Sequence, residues 1–221
     1  MTMDTGTGVD ALVMEVRRLE EDPHVRKLVE ERVSDFNELN KGDSSAWFLE
    51  LVYCLLTAYS SAQRAQLCVD ALDDCGAIIH GSTEEVADTL RREGHRFAEK
   101  RAEYIVSVRK LAGNIKQIIQ RFRSSMKARE WLVMNVKGIG WKESSHFLRN
   151  VGYFDVAILD RHILSNMKEH GLIPDTSRGG LTKRRYLEYE RILGKVADRL
   201  GMPLGQMDLY LWYRKTGKVL K

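Results

Sequence analysis

The sequence predicts an all-α fold, and three observations carry that prediction. Apolar residues recur at helical spacing through nearly the whole chain, helix start and stop signals punctuate those runs, and no stretch alternates apolar and polar residues as a half-buried strand does. At 221 residues, 43% of them hydrophobic and 30% charged, the chain is long enough to bury a sizeable core as one globular unit or two closely joined lobes. No internal repeat is present.

The elements follow in order. Met1 to Gly8, rich in Thr and Gly, is expected to lack regular structure. From Val9 a helix carries Leu12, Val13, Val16 and Leu19 on one face; Asp22-Pro23 then opens a second with Val25, Leu28, Val29, Val33, Phe36 and Leu39. Asn40 to Ser45 reads as loop and cap. Ala46 to Tyr59 is apolar nearly all round, as a helix in the middle of a core is. Ser60-Ser61-Ala62-Gln63-Arg64 breaks that run, and its bland role is the polar start of the next helix. Ser82-Thr83-Glu84-Glu85 has the spacing of a capping box for a helix ending near Gly94. His95-Arg96-Phe97 leads into a helix from Ala98 to Ala112 with Tyr104, Ile105 and Val108 inward. By composition Phe97 is a staple or core ring.

Ile115 to Phe122 and Met126 to Asn135 carry a basic cluster of Lys116, Arg121, Arg123, Lys127 and Arg129, most of it a solvated face and some of it suited to phosphates. Beyond Asp160 a helix runs to Gly171, Ile173 to Gly180 is a polar Gly-rich loop, Thr182 to Leu200 is a long helix stopped by Gly201-Met202-Pro203, and Gln206 to Thr216 is the last.

Composition bounds the function. The net charge of +4 is mild, so an anion-binding face must come from local clustering. Cys54, Cys68 and Cys75 have no metal-ligand spacing, which argues against disulfides and a cysteine-ligated metal. No signal peptide and no run long enough to span a membrane is seen, so an intracellular setting, cytoplasm or nucleoid, is expected.

The chemistry concentrates in Val136-Lys137-Gly138-Ile139-Gly140-Trp141-Lys142-Glu143-Ser144-Ser145-His146-Phe147-Leu148. One helix ends at Val136 and another begins at Lys142, joined by Gly-Ile-Gly: a helix-hairpin-helix. The two glycines permit positive φ and close backbone approach, Ile139 pins the turn to the core, and backbone N–H groups at the second helix's start favour a phosphate. Lys142 lies in that first turn, where a cation opposes the helix dipole and the neutral, nucleophilic amine is favoured. Its bland role is a solvated or phosphate-contacting lysine. Asp160, in Ile158-Leu159-Asp160-Arg161-His162, stands where a helix begins and suits an N-cap, a role compatible with a catalytic one.

Gly138, Gly140 and Lys142, then Val151-Gly152-Tyr153-Phe154 and Leu159-Asp160-Arg161-His162, resemble the helix-hairpin-helix DNA glycosylase superfamily, whose members with a lysine at the hairpin are glycosylase/AP lyases. The ending Tyr210 to Lys221 is similar to the small, mainly archaeal 8-oxoguanine DNA glycosylases, and the likeness extends from about Phe48 to Lys221. Three cysteines cannot supply the four ligands of an iron–sulfur cluster, which excludes the cluster-bearing endonuclease III-like branch.

The resemblance implies two helical lobes, residues 1–56 with 157–221 in one and 57–156, containing the hairpin at 136–148, in the other, with the hairpin and Asp160 at the cleft. It implies Lys142 as nucleophile and Asp160 as its carboxylate partner. Phe97 and Trp212 would sandwich an extruded 8-oxoguanine, Lys221 would reach the lesion pocket, and Gln63 and Arg64 would contact the gap left in the duplex. Lys137, Gly138 and Gly140 would meet the backbone phosphates. The implied partner is double-stranded DNA containing 8-oxoguanine, bound by a monomer with no cofactor and no membrane. Two other readings stand beside this one: a glycosylase for oxidised pyrimidines, and a non-catalytic helix-hairpin-helix module.

Overall fold

The computed structural model describes residues 5–174 and 181–221, and among these it is all-α, with twelve α-helices, one short 3-10 helix and no strand. The chain divides into two compact units, Met1–Phe36 with Gly152–Lys221, and Asn37–Val151.

The first unit holds α1 (Thr5–Glu21), most of α2 (Pro23–Lys41), α10 (Arg161–Glu169), α11 (Lys183–Leu200) and α12 (Leu204–Thr216). Its core is the apolar face read from the sequence: Leu12, Val16, Val25, Val29 and Phe36 are buried, together with Ile163, Met167, Leu193 and Val196. Asp22 caps α2 ahead of Pro23, accepting from the N–H of His24 at 2.9 Å. Of the stretch up to Gly8 expected to lack regular structure, residues 1–4 lie outside the described residues and residues 5–8 are helical, because α1 begins at Thr5. A Cβ at Gly8 would collide with the carbonyl of His170. The missing side chain lets the helix lie against the end of α10, and that contact offsets the low helix propensity of glycine. Of the expected loop from Ile173 to Gly180, residues 175–180 lie outside the described residues.

Ion pairs lace this unit. Glu15 of α1 meets His170 at 2.8 Å and Arg214 of α12; Arg214 reaches Glu169 at 2.7 Å, and Lys215 pairs with Glu169 as well.

The second unit is built around α3 (Ser44–Thr57), against which α4 (Ala62–Asp74), α6 (Ala98–Val108), α7 (Ile115–Gln120) and α9 (Trp141–Asn150) pack; α5 (Thr83–Arg92) and α8 (Ser125–Asn135) complete it. Trp47, Phe48, Leu51, Val52, Tyr53, Leu55 and Leu56 are all buried, as the apolar run requires. Glu50 is buried among them and accepts a hydrogen bond from Asn150 at 2.6 Å, so its charge is not left without a partner. Because α3 packs on α4, α6, α7 and α9, residues 37–56 belong to this unit, and the divisions fall at 36/37 and 151/152 where the sequence reading put them at 56/57 and 156/157. The capping box of Ser82 and Glu85 is present as read.

Three expectations here are corrected. Tyr59 is not part of the buried helix: α3 stops at Thr57, and Tyr59 is 83% exposed. The helix from Ala98 ends at Val108 and tightens into the 3-10 turn Arg109–Leu111. Two members of the basic cluster are internal braces: Lys116 donates to the carbonyls of Asn40 at 2.8 Å and Gly42 at 2.6 Å, capping α2. Arg129 is fully buried, its guanidinium 4.9 Å from the Trp141 ring centroid and 3.0 Å from Ser145 Oγ, bolting α8 to α9.

Candidate active site

The residues singled out by the sequence fall into two groups, one in each unit. In Asn37–Val151, α8 and α9 form the expected hairpin, with Val136 and Ile139 buried beneath it. Only one of the two glycines needs to be glycine for its backbone: Gly138 has φ +97° and a Cβ there would strike the Tyr104 ring, whereas Gly140 is extended with φ −110°, a conformation open to any residue. Lys137 is exposed on the turn, 6.0 Å from the Tyr104 ring centroid.

The start of α9 is not a set of free donors as expected. Glu143 turns back so that its Oε2 accepts from Gly140 N–H at 3.2 Å, placing a carboxylate on the positive end of the helix dipole. Its other oxygen lies 3.9 Å from Lys142 Nζ, and the Lys142 side chain is 27% exposed. Lys142 is therefore partly sheltered yet held by one long ion pair within its unit, an amine able to move. The spacing Gly140 to Glu143 is that of a capping box and was the signal available for Glu143.

Behind the hairpin stands Arg101, a residue the sequence did not mark. It is buried, donates to the carbonyl of Gly138 at 3.3 Å and to that of Ala58 at 3.1 Å, and so ties α6 to both the hairpin and the chain after α3. His95 makes a parallel tie. Its Nε2 meets the carbonyl of Leu56 at 3.0 Å while its Nδ1 accepts from the N–H of Phe97 at 3.3 Å, and burial holds its imidazole below the ordinary value. Phe97 heads α6 with 38% exposure, and the Arg96 guanidinium lies 5.2 Å from its ring centroid.

Gln63 is exposed in the first turn of α4, which Ser61 caps. Arg64 is turned inward along the surface to bond the carbonyl of Glu93 at the end of α5.

In the other unit Asp160 is the N-cap of α10: Oδ1 accepts from the N–H groups of His162 at 2.8 Å and Ile163 at 2.9 Å. Oδ2 accepts from the indole N–H of Trp212 at 3.1 Å, and His162 packs edge-on to that indole at 5.5 Å. The carboxylate thus carries a cap and an aromatic neighbour at once. Beyond Trp212, α12 ends at Gly217 and the tail turns back, Thr216 Oγ1 accepting from the Lys218 N–H at 3.2 Å; Lys221 is half-buried.

Among the described residues no helix is long and apolar enough to cross a membrane. The family model for 8-oxoguanine DNA glycosylase of the helix-hairpin-helix type matches residues 29–202. The chain is 46% identical over 214 residues to an 8-oxoguanine DNA glycosylase/AP lyase of Korarchaeum cryptofilum, covering 97% of this chain and 100% of that protein. Its fold is similar to the crystal structure of the 8-oxoguanine DNA glycosylase of Thermotoga maritima, with a TM-score of 0.86 at 45% identity, covering 96% of this chain and 100% of the other. It is also similar to the Methanocaldococcus jannaschii 8-oxoguanine glycosylase/lyase solved in complex with a 15mer DNA containing 8-oxoguanine, with a TM-score of 0.88 at 40% identity over 96% of this chain and 100% of that one.

Proposed function

The chain belongs to the helix-hairpin-helix 8-oxoguanine DNA glycosylase family, and from that premise we propose how its own residues carry out base excision and strand cleavage. It is an 8-oxoguanine DNA glycosylase/AP lyase. The observation that carries the assignment is the full-length match to enzymes of that activity. A loosely held lysine in the first turn of the hairpin's second helix supports the covalent route.

In this reading the damaged nucleotide leaves the stack, because its glycosidic bond is inaccessible within the duplex. The neutral Lys142 amine attacks C1′ of the sugar, the C1′–N9 bond breaks, and the base departs with the bonding pair and takes up a proton. Ionised Asp160 assists proton removal from the lysine and stabilises the positive charge that develops on the sugar. Ring opening gives a protonated Schiff base between Lys142 and C1′, which acidifies the C2′ hydrogens. Loss of a C2′ proton expels the 3′ phosphate by breaking the C3′–O bond, and water then releases the lysine.

Phe97 and Trp212 stack on the two faces of the extruded purine, which gives each exposed or half-exposed ring an occupant. Lys221 reads the lesion: 8-oxoguanine alone has an N7–H donor, and an acceptor in the tail, such as a backbone carbonyl, would be left desolvated and unpaired with guanine. Lys137 and the backbone from Gly138 to Gly140 meet phosphates, and Gln63 contacts the gap; the inward bond of Arg64 to Glu93 leaves it a smaller part there. Both halves of this machinery come from one chain, which supports a monomer, acting on double-stranded DNA in the cytoplasm or nucleoid.

Borohydride trapping on a panel of duplexes tests the reading. A covalent adduct on the 8-oxoguanine duplex and little on undamaged or oxidised-pyrimidine duplexes is expected. Equal trapping on oxidised pyrimidines would shift the substrate, and binding without any adduct would reduce the protein to a DNA-binding module.

A further inference from the structure

Tyr59 is the one non-glycine residue with left-handed backbone among the described residues, at φ 64°, and its ring is 83% exposed. A tyrosine has no short polar side chain with which to ease that conformation, so the corner is held by its surroundings. Three contacts do so. Ser60 N–H bonds the carbonyl of Thr57 at 3.1 Å, His95 takes the carbonyl of Leu56, and Arg101 takes that of Ala58.

The two side chains that clamp this corner bracket Phe97 in sequence, and Arg101 also donates to the carbonyl of Gly138 in the hairpin. Tyr59 therefore stands at a fixed place beside the proposed base-stacking ring, edge-on to Phe97 with centroids 5.8 Å apart and planes at 74°. Arg96, exposed, lies over Phe97 and gives the neighbourhood the charge that a phosphate backbone would meet.

An exposed aromatic ring carried on a strained backbone corner at such a place has a use in this chemistry. Extruding a nucleotide unstacks its neighbours, and a flat ring entering the stack recovers part of what is lost. We propose that Tyr59 is the stacking wedge of the enzyme: on binding, its ring enters the duplex beside the extruded nucleotide and keeps the gap from closing while the base is in its pocket. The occupant of this surface is the base stack of duplex DNA, with Gln63 contacting the same gap from the start of α4. The inference rests on the excision activity proposed above.

Single-turnover excision by Tyr59→Asn and Tyr59→Phe tests it. Asparagine tolerates the left-handed corner, so the Asn variant is expected to melt no lower than the wild type while lacking the ring. Its excision of 8-oxoguanine from a fully paired duplex should fall by at least about tenfold, the scale of one lost base-stacking contact. Phe should restore the rate. The defect should shrink sharply when the lesion lies opposite an abasic residue, since that duplex is already open, and cleavage of a preformed abasic site should be little changed. Wild-type excision by Tyr59→Asn on the paired duplex, or an equal loss on paired and pre-opened duplexes, overturns the wedge while leaving the enzyme's activity standing. A wild-type protein that excises no 8-oxoguanine overturns the activity, and the wedge with it.

Discussion

The carboxylate of Asp160 carries three hydrogen bonds, two from the first turn of α10 and one from Trp212, whereas the Lys142 amine has its ion partner within its unit, Glu143, at 3.9 Å. The backbone beneath the lysine is as fixed as that beneath the aspartate, since Gly138 is wedged against Tyr104 and bonded by Arg101. What differs is the side chain. A group that stabilises developing charge works best when its position is set beforehand, because nothing then needs to reorganise in the transition state. A nucleophile has to form a bond, follow C1′ through ring opening and be released. In the proposed mechanism one half of the machinery is thus built to stay and the other to travel.

The largest effect is expected where the travelling group is lost. Lys142→Gln should abolish excision and borohydride trapping while DNA binding persists, since length and polarity are kept. Trapping at wild-type levels by this variant would move the nucleophile elsewhere.

Asp160→Asn comes next, with excision slowed by at least about a hundredfold, roughly 3 kcal/mol of transition-state stabilisation. Asparagine has one acceptor oxygen, so it can cap α10 or receive the Trp212 indole, not both. If excision rates barely change while Asp160→Ala only lowers the melting temperature, the aspartate is a cap and the comparison collapses.

Removing Lys221 should lower 8-oxoguanine excision by the equivalent of about 1–3 kcal/mol while sparing cleavage of a preformed abasic site, which needs no base recognition. Equal losses on the two substrates would show that the tail only supports the fold.

The smallest effect concerns what keeps α10 against α12. Lys215 and Arg214 hold the Glu169 carboxyl down to about 2 from an ordinary 4.5. A depressed carboxylate contributes stability that is complete above the ordinary value and is lost as pH falls towards the folded one. The melting temperature of the wild type should therefore exceed that of Glu169→Gln by a small margin near neutrality, screened because the group is largely exposed, and the gap should close between about pH 4.5 and 2. A gap that is constant with pH would remove the ion pairs from the account.

The sequence was most informative where structure is local. The caps at Asp22, Ser82 and Asp160 and the hairpin lie where their spacing put them, because each is settled within one turn of chain. Positions settled by distant partners were misread. Arg129 looked like part of a basic face because its burial depends on Trp141 and Ser145, which reach it only when α8 and α9 pack. Lys116 was in the same position with respect to the end of α2. Gly8 argued for disorder until the carbonyl of His170 was set against it. Tyr59 had no signal at all: an aromatic after an apolar run reads as core, and its outward corner is held by the Ser60 turn and by distant His95 and Arg101. At the candidate site Lys142 and Asp160 stood out by type and spacing and Phe97 only through the resemblance, while Glu143, Arg101 and His95, which hold the surroundings in place, were not singled out as site residues.

The two bonds of His95 have a consequence of their own. Phe97 N–H needs a lone pair on Nδ1 and the Leu56 carbonyl needs a hydrogen on Nε2, so a single neutral tautomer satisfies both. A second proton would have to occupy Nδ1, in a buried place already facing the guanidinium groups of Arg101 and Arg64, and would cost Phe97 its partner. The ring is therefore kept uncharged at neutral pH, and the stability tied to that state is full above its ordinary value of 6.5 and declines as pH falls below it. Acidity alone, without any change at Lys142 or Asp160, would loosen the strap that joins the Tyr59 corner to the Phe97 turn.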